Sequence, residues 1–321
     1  MKIRLGYVAI SNALGKKVTS SSNVTYKTYS KITSEEKKIE KLKSITHSNF
    51  EGLEKILRYN IENDIHFYRL TSALIPLTTH PDVPNWGYRK LFKKDFEYIG
   101  KLIKKNNMRV DTHPDQFNVI NSANDEVVKN TIKNLSRQVE WFEDMDYPMG
   151  KMVIHIGGAT GGKESALSRF VDNFKTFPHD IQTRLIIEND DKIYTAHETL
   201  TLCKQLDIPM VLDVHHHNCK NDGENLSDLM KNIFDTWSCE NLPPKIHFSS
   251  PKEGKLDRKH ADYIDVNEFA SFLNLAKESV NNDFDVMIEA KKKDLALFKL
   301  IDDLRKINYP CEFIDESTIK I

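Results

Sequence analysis

The sequence predicts a single (β/α)8 barrel of the TIM type, and three observations support it. Six short extended segments each end on a histidine or an acid: Met108-Arg-Val-Asp-Thr-His113, Met152-Val-Ile-His155, Arg184-Leu-Ile-Ile-Glu188, Met210-Val-Leu-Asp213, Lys245-Ile-His247 and Val286-Met-Ile-Glu289. Apolar runs this short suit strands buried on both faces, as in a parallel sheet covered by helices. The six ends follow one another at a mean interval of about 35 residues, close to the ~31 expected when ~250 residues make eight βα units. Helical stretches alternate with the strands throughout, giving eight strands and about eight helices. A doubly wound sheet would also alternate, but its glycine fingerprint is absent. No shift in composition marks a second domain, so residues 1–321 read as one barrel unit.

Lys2 to Tyr7 is the first strand, and residues 11–32, rich in Ser, Thr and Lys, read as a surface loop. Ser34-Glu-Glu opens a helix, and Asn49-Phe50 introduces a further one through Leu53, Ile56 and Leu57 at helical spacing. His66 to Thr71 is the second strand; three prolines keep the loop from Pro76 to Trp86 from being helical throughout. Helices are expected over 93–106, 125–145, 163–174, 195–206, 226–233, 266–280 and 295–307, and residues 294–321 form a C-terminal helix and tail.

Bulk properties narrow the function class. Apolar residues at 39% and charged residues at 29% describe a globular chain with a sizeable core, not a disordered one. No run reaches the roughly 18 to 20 apolar residues of a membrane span, and the N-terminus reads as a strand rather than a signal peptide. A net charge of −1 gives no global pull on nucleic acid, but 46 basic side chains leave room for a basic face. The four cysteines form no CxxC pair, so neither a disulfide framework nor a thiolate zinc site is indicated, and a cytoplasmic location is expected.

On a barrel the polar strand ends converge on the C-terminal mouth, where catalytic groups sit. A lone strand histidine is an ordinary core or surface residue, but three histidines and three acids crowded together without a metal would be poorly compensated. The set lacks cysteine, which suits zinc or manganese and a multinuclear site bridged by carboxylates. Glu188, central in the series, is the candidate bridge. Asp213-Val-His-His216 adds an acid and a histidine able to turn back to the cluster, with His215 and His217 as bystanders. The run Gly157-Gly-Ala-Thr-Gly-Gly-Lys163 imitates a phosphate-binding loop, but Glu164 stands where such a loop needs Ser or Thr, so no nucleotide cofactor is expected.

These residues lie within motifs that resemble the ultraviolet damage endonucleases. The motifs are Leu5-Gly-Tyr7, Tyr68-Arg-Leu-Thr-Ser72, Pro76, His80-Pro81, His113-Pro-Asp-Gln116-Phe117, His155-Ile-Gly-Gly158, Glu188-Asn-Asp190, Asp213-Val-His-His216, Lys245-Ile-His247 and Glu289-Ala-Lys291. They keep their order over about residues 1–293. The resemblance implies a metal-dependent TIM barrel similar to endonuclease IV. It implies hydrolysis of the DNA backbone immediately 5′ to a pyrimidine dimer or 6-4 photoproduct, leaving 3′-hydroxyl and 5′-phosphate ends. It implies up to three divalent ions, manganese favoured, with zinc or magnesium as alternatives. The ligands so implied are His80, His113, His155, Glu188, Asp213, His216, His247, His260 and Glu289. Lys245 matches a lysine that can be carboxylated near the metals, with a catalytic role beside Glu188. Gln116 and Phe117 match a pair that probes the damaged duplex, and Tyr7 and Asn12 match lesion-contacting positions. The family's probe pair usually ends in Tyr rather than Phe, and the segment after Tyr7 is one residue longer here. The expected partner is damaged double-stranded DNA, met by a monomer associated with the nucleoid. The alternatives are an endonuclease IV-like enzyme acting at abasic sites, a metal-dependent sugar isomerase or epimerase, and a catalytically dead damage-binding protein.

Overall fold

The computed structural model describes residues 1–321. Eight parallel strands close into a barrel: β1 (Lys2–Val8), β2 (Phe67–Leu70), β3 (Arg109–Thr112), β4 (Lys151–His155), β5 (Leu185–Glu188), β6 (Met210–Asp213), β7 (Lys245–Phe248) and β8 (Phe284–Ile288). Closure is at β1, which pairs with β8 from Ile3 to Tyr7 and with β2 from Gly6 to Val8. Gly6 permits it: a Cβ there would lie 2.3 Å from the Phe67 carbonyl oxygen. The (β/α)8 prediction therefore holds.

The helices are α1 (Tyr26–Tyr29), α2 (Glu35–Glu62), α3 (Tyr88–Leu91), α4 (Lys93–Lys105), α5 (Asp125–Asp144), α6 (Lys163–Thr176), α7 (His179–Gln182), α8 (Ala196–Leu206), α9 (Val214–Cys219), α10 (Leu226–Asp235), α11 (Val266–Ser279) and α12 (Lys293–Lys306). The expected break at Asn49 does not occur, and α2 runs on for 28 residues. Asn49 is buried on this helix, where its amide bonds the backbone of Ser22 and the Leu74 carbonyl oxygen, pinning two loops. Residues 11–32 are likewise not simply a surface loop. Ser11, Ser20, Val24 and Tyr29 are buried, α1 lies within the stretch, and the Thr19 backbone lies so close to Gly52 that a Cβ would fall 2.1 Å from its oxygen. The tail adds β9 (Glu312–Phe313) and β10 (Thr318–Lys320), the latter antiparallel to Lys2–Arg4. Strands of two and three residues leave no periodic pattern to read.

The main core of 74 buried residues includes the helix faces packed on the barrel, while Val153, Ile186, Val211 and Trp237 form a small separate apolar cluster. Side chains alternate faces along a strand, so residues two apart share a direction. Val153, Ile186 and Val211 thus stand two residues before His155, Glu188 and Asp213, one layer beneath them. Beside this apolar patch the lower layers are ionic. Arg4 binds Asp285 through Nε (2.6 Å) and Nη2 (2.7 Å), Arg109 reaches the same carboxylate at 2.7 Å, and Lys245 donates to Asp111 at 2.5 Å. Such buried charges persist only when paired.

Candidate metal centre at the barrel mouth

Seven of the nine expected ligands come together at the C-terminal ends of the strands. They form three overlapping groups: His113, His155 and Glu188; Glu188, Asp213 and His216; Asp213, His247 and Glu289. Glu188 is central. Its Oε1 lies 2.9 Å from His247 Nδ1 and 3.4 Å from His216 Nδ1, and its Oε2 lies 3.1 Å from His113 Nε2 and 3.7 Å from His155 Nε2. Each oxygen faces a different pair of rings, which is the arrangement a bridging carboxylate needs.

Electrostatics reinforce this picture. Burial opposes ionisation of Glu188, but His247, His155 and the hydrogen bond from His113 outweigh it and hold the carboxyl well below the usual range. Glu289 behaves alike: burial opposes ionisation, and Arg69 and His247 overcome it. Burial pushes Asp213 up, with Glu188 and Glu289 adding to the shift. Burial would lower His216, yet Asp213 and Glu188 together raise it. Burial, with Lys245 and Arg69, takes His247 down to about 4. The cluster thus mixes carboxylates held ionised, Glu188 and Glu289, with imidazoles pushed down, His155 and His247, and two groups pushed up, Asp213 and His216.

The residues fit divalent ions by three tests. The donors are imidazole and carboxylate only, matching zinc, manganese or magnesium rather than soft-metal chemistry. One cluster atom, Asp213 Oδ2, is buried without a hydrogen-bond partner, a costly state that a cation would relieve. Three rings are anchored by the backbone: Nδ1 of His113, His216 and His260 lies 3.1, 3.0 and 2.6 Å from the carbonyl oxygens of Pro114, Asn189 and Glu289. Such bonds fix tautomer and ring orientation, the support that metal-ligating histidines receive in general.

The other expected residues are placed differently. His260 lies beside the cluster but outside the three groups, its ring 6.3 Å from that of His216. His80 is not brought in; its ring stacks on Tyr26 at 3.9 Å, and its Nδ1 accepts the Asp82 N–H. Lys245, expected beside the metals, lies one layer below His247, paired with Asp111 and 5.4 Å from the Phe67 ring centroid. Burial, with Arg69 adding, lowers its pKa to about 8. Tyr7 is fully buried and donates its hydroxyl to Asn60 Oδ1 at 2.7 Å, so the expected lesion contact is not available to it in this structure. Asn12 is exposed, its side-chain amide 3.2 Å from the Lys291 carbonyl oxygen. Lys163 of the false phosphate loop is engaged with Glu198 at 2.8 Å.

Gln116 and Phe117 are exposed beyond the end of β3, Phe117 by 73%. Their turn is stiff: Asp115 Oδ1 accepts the Phe117 N–H at 2.9 Å and the Asn118 amide at 3.1 Å. A cleft of about 470 Å³ runs from this turn past His113 and His155 to Asp190, Asp191 and His216.

Arg69 also belongs to the cluster. Arg69 Nη2 donates to Glu289 Oε1 at 2.5 Å and lies 2.8 Å from His247 Nε2. The alternation of β2 would have found it, since a charge amid Phe67, Tyr68 and Leu70 must point into the barrel or out through apolar packing.

A family model described as UV-endonuclease UvdE matches residues 3–315. The chain belongs to the UV damage endonuclease family. A relative named UV DNA damage endonuclease, from Bacillus cereus (strain Q1), is 41% identical over 308 residues, covering 96% of each chain. Among solved structures, a crystal structure of SacUVDE aligns with a TM-score of 0.84 at 31% identity, covering 96% of this chain and 99% of that one. Endonuclease IV from Thermus thermophilus aligns with a TM-score of 0.55 over 95% of this chain and 97% of that one; at 13% identity this shows a shared fold alone. Membership of the UV damage endonuclease family removes the sugar isomerase or epimerase as a reading of the mouth.

Proposed function

We propose that this chain is a metal-dependent DNA repair endonuclease that hydrolyses the phosphodiester bond immediately 5′ to UV photoproducts in duplex DNA, leaving 3′-hydroxyl and 5′-phosphate ends. The observation that carries this reading is Glu188, buried at the mouth with its two oxygens each turned to a separate pair of histidines. His113, His155, Glu188, Asp213, His216, His247 and Glu289 would hold up to three divalent ions, manganese favoured, with His260 at the edge of the set. Bound there, such ions supply an activated water, neutralise the phosphate and stabilise the leaving oxygen.

The chain's own residues do the rest. Phe117 stands ready to stack where a damaged pair opens, and Gln116 offers an amide to the bases left unpaired. Asp115 keeps both on a fixed turn next to His113. Arg69 orients Glu289 and His247 from below.

The test is incision of an oligonucleotide duplex bearing one defined photoproduct. Manganese should give a single cut 5′ to the lesion, and a chelator should abolish it. Binding without incision under every divalent ion would instead support a catalytically dead damage-binding protein. A cut only at abasic sites would support the endonuclease IV-like reading.

A further inference from the structure

The mouth has a second projecting apolar side chain. The connection from β7 to α11 is a braced finger: Pro251 and His260 pair as an antiparallel bridge, and the Lys252 N–H donates to the Lys259 carbonyl at 2.7 Å. Inside it Asp257 accepts the N–H groups of Glu253 and Lys259, both at 3.1 Å. Leu256 stands on this finger and is 71% exposed, almost as much as Phe117.

An isolated exposed leucine needs no explanation by itself. Three features set this one apart. The finger is tied to the metal-site wall, because the Leu256 carbonyl oxygen accepts from Cys219 Sγ at 3.9 Å, on the helix bearing His216, and Arg258 pairs with Asp191 at 3.6 Å. Its flanks are cationic: Lys255 and Lys259 are exposed with no carboxylate within 4.0 Å, as is Lys291, whose N–H joins the finger's base at the Ala261 carbonyl. And β7 is four strands from β3 in either direction around the closed sheet, so the finger and the Phe117 turn rise from opposite sides of the mouth.

We propose that Leu256 is a second DNA wedge, entering the base stack on the far side of the lesion from Phe117 while Lys255 and Lys259 hold the flanking phosphates. The proposal rests on the reading of this mouth as a site for damaged duplex DNA. An aliphatic wedge makes no hydrogen bonds and so reads no sequence; it loosens a base step and kinks the duplex. That step opens most easily where a lesion has already weakened stacking, so the wedge favours damaged over intact DNA. Two exposed lysines at its sides suit the backbone that such a kink brings inward.

The experiment uses the full-length metal-loaded protein and a photoproduct duplex with a non-hydrolysable methylphosphonate at the scissile position. It carries 2-aminopurine at the step on either side of the lesion. Leu256→Ala should weaken binding to this duplex about 10-fold, leave binding to undamaged duplex within about twofold, and quench the 2-aminopurine on the side away from Phe117 only. Leu256→Met should restore both signals. Replacing Lys255 and Lys259 with Gln should flatten the slope of log affinity against log salt by about 1.8. Wild-type binding and fluorescence in Leu256→Ala would overturn the wedge. So would a concentration-dependent dimer that Leu256→Ala converts to monomer, since the leucine would then meet a second copy of the chain. A wild-type protein that neither binds nor cuts photoproduct DNA would refute the damaged-DNA reading instead.

Discussion

Replacing Gln116 and Phe117 together by alanine tests the proposed probe role without touching any of the candidate metal ligands. A phenylalanine buries 150–250 Å² when enclosed; at 73% exposure Phe117 buries roughly 50 Å². At about 25 cal/mol per Å², truncation costs the fold about 1 kcal/mol at most. Gln116 is exposed, so its loss adds little. The turn survives as well, because Asp115 bonds backbone and Asn118 rather than either of these side chains. Stacking on a base, by contrast, is worth ~1–3 kcal/mol, and the lost hydrogen bonds add to it. The double variant should therefore bind a photoproduct duplex about 10- to 100-fold more weakly at unchanged metal content. Undamaged duplex, held by phosphate contacts, should bind almost as before. Fluorescence anisotropy on matched damaged and undamaged duplexes reads the difference directly. Equal losses on both would mean that Phe117 and Gln116 are scaffold.

Three further outcomes follow from the cluster. Glu188→Gln keeps the shape but removes the charge faced by four histidines; incision should fall below detection and metal content should drop while the melting curve stays cooperative, and retention of both metal and nicking would refute the bridge. Lys245→Ala leaves Asp111 buried and unpaired, a loss of about 3–5 kcal/mol of stability. Lys245→Met combined with Asp111→Asn should recover most of it, so incision by that double variant decides whether the lysine does more than pair with Asp111. His216 is raised above its ordinary value by Asp213 and Glu188, against its burial, and so carries a proton near neutral pH that a bound metal must displace. Metal affinity should rise with pH and titration calorimetry should show a heat that depends on the buffer; a buffer-independent heat would show that no proton leaves.

The barrel and most of the cluster were legible because two periodicities coincide. Apolar runs ending on His155, Glu188 and Asp213 mark buried strands, and alternation turns all three ends the same way. The sequence marks Lys245 but not its depth: a position two residues before His247 points the same way yet lies one layer lower, where Asp111 meets it. The burial of Tyr7 is hidden from the sequence for a similar reason. It lies within β1, and its hydroxyl is taken by Asn60 of α2, a pairing between segments 53 residues apart that no local pattern announces. Asn49 looked like a helix boundary because asparagine favours caps; tertiary bonds to Ser22 and Leu74 hold it in mid-helix instead.

The ionic layer under the cluster explains why charged residues interrupt β2, β3 and β8. Arg69, Arg109, Lys245 and Arg4 face Glu289, Asp285 and Asp111, and two of these cations also act on the ligands above: burial keeps His247 from taking a proton, and Lys245 and Arg69 add to it. A neutral imidazole is the form that can ligate a metal. The same Arg69 holds Glu289 ionised although the carboxyl is buried. An apolar filling at position 69 would take away the cation that holds the buried Glu289 ionised, while burial would still keep His247 neutral, so Glu289 would be the ligand that suffers. The charged interior therefore prepares donor atoms at the mouth, and Arg69→Met should lower metal affinity with the seven cluster residues still in place. Unchanged metal affinity in that variant, measured by calorimetric titration at pH 7, would show that the layer serves packing alone.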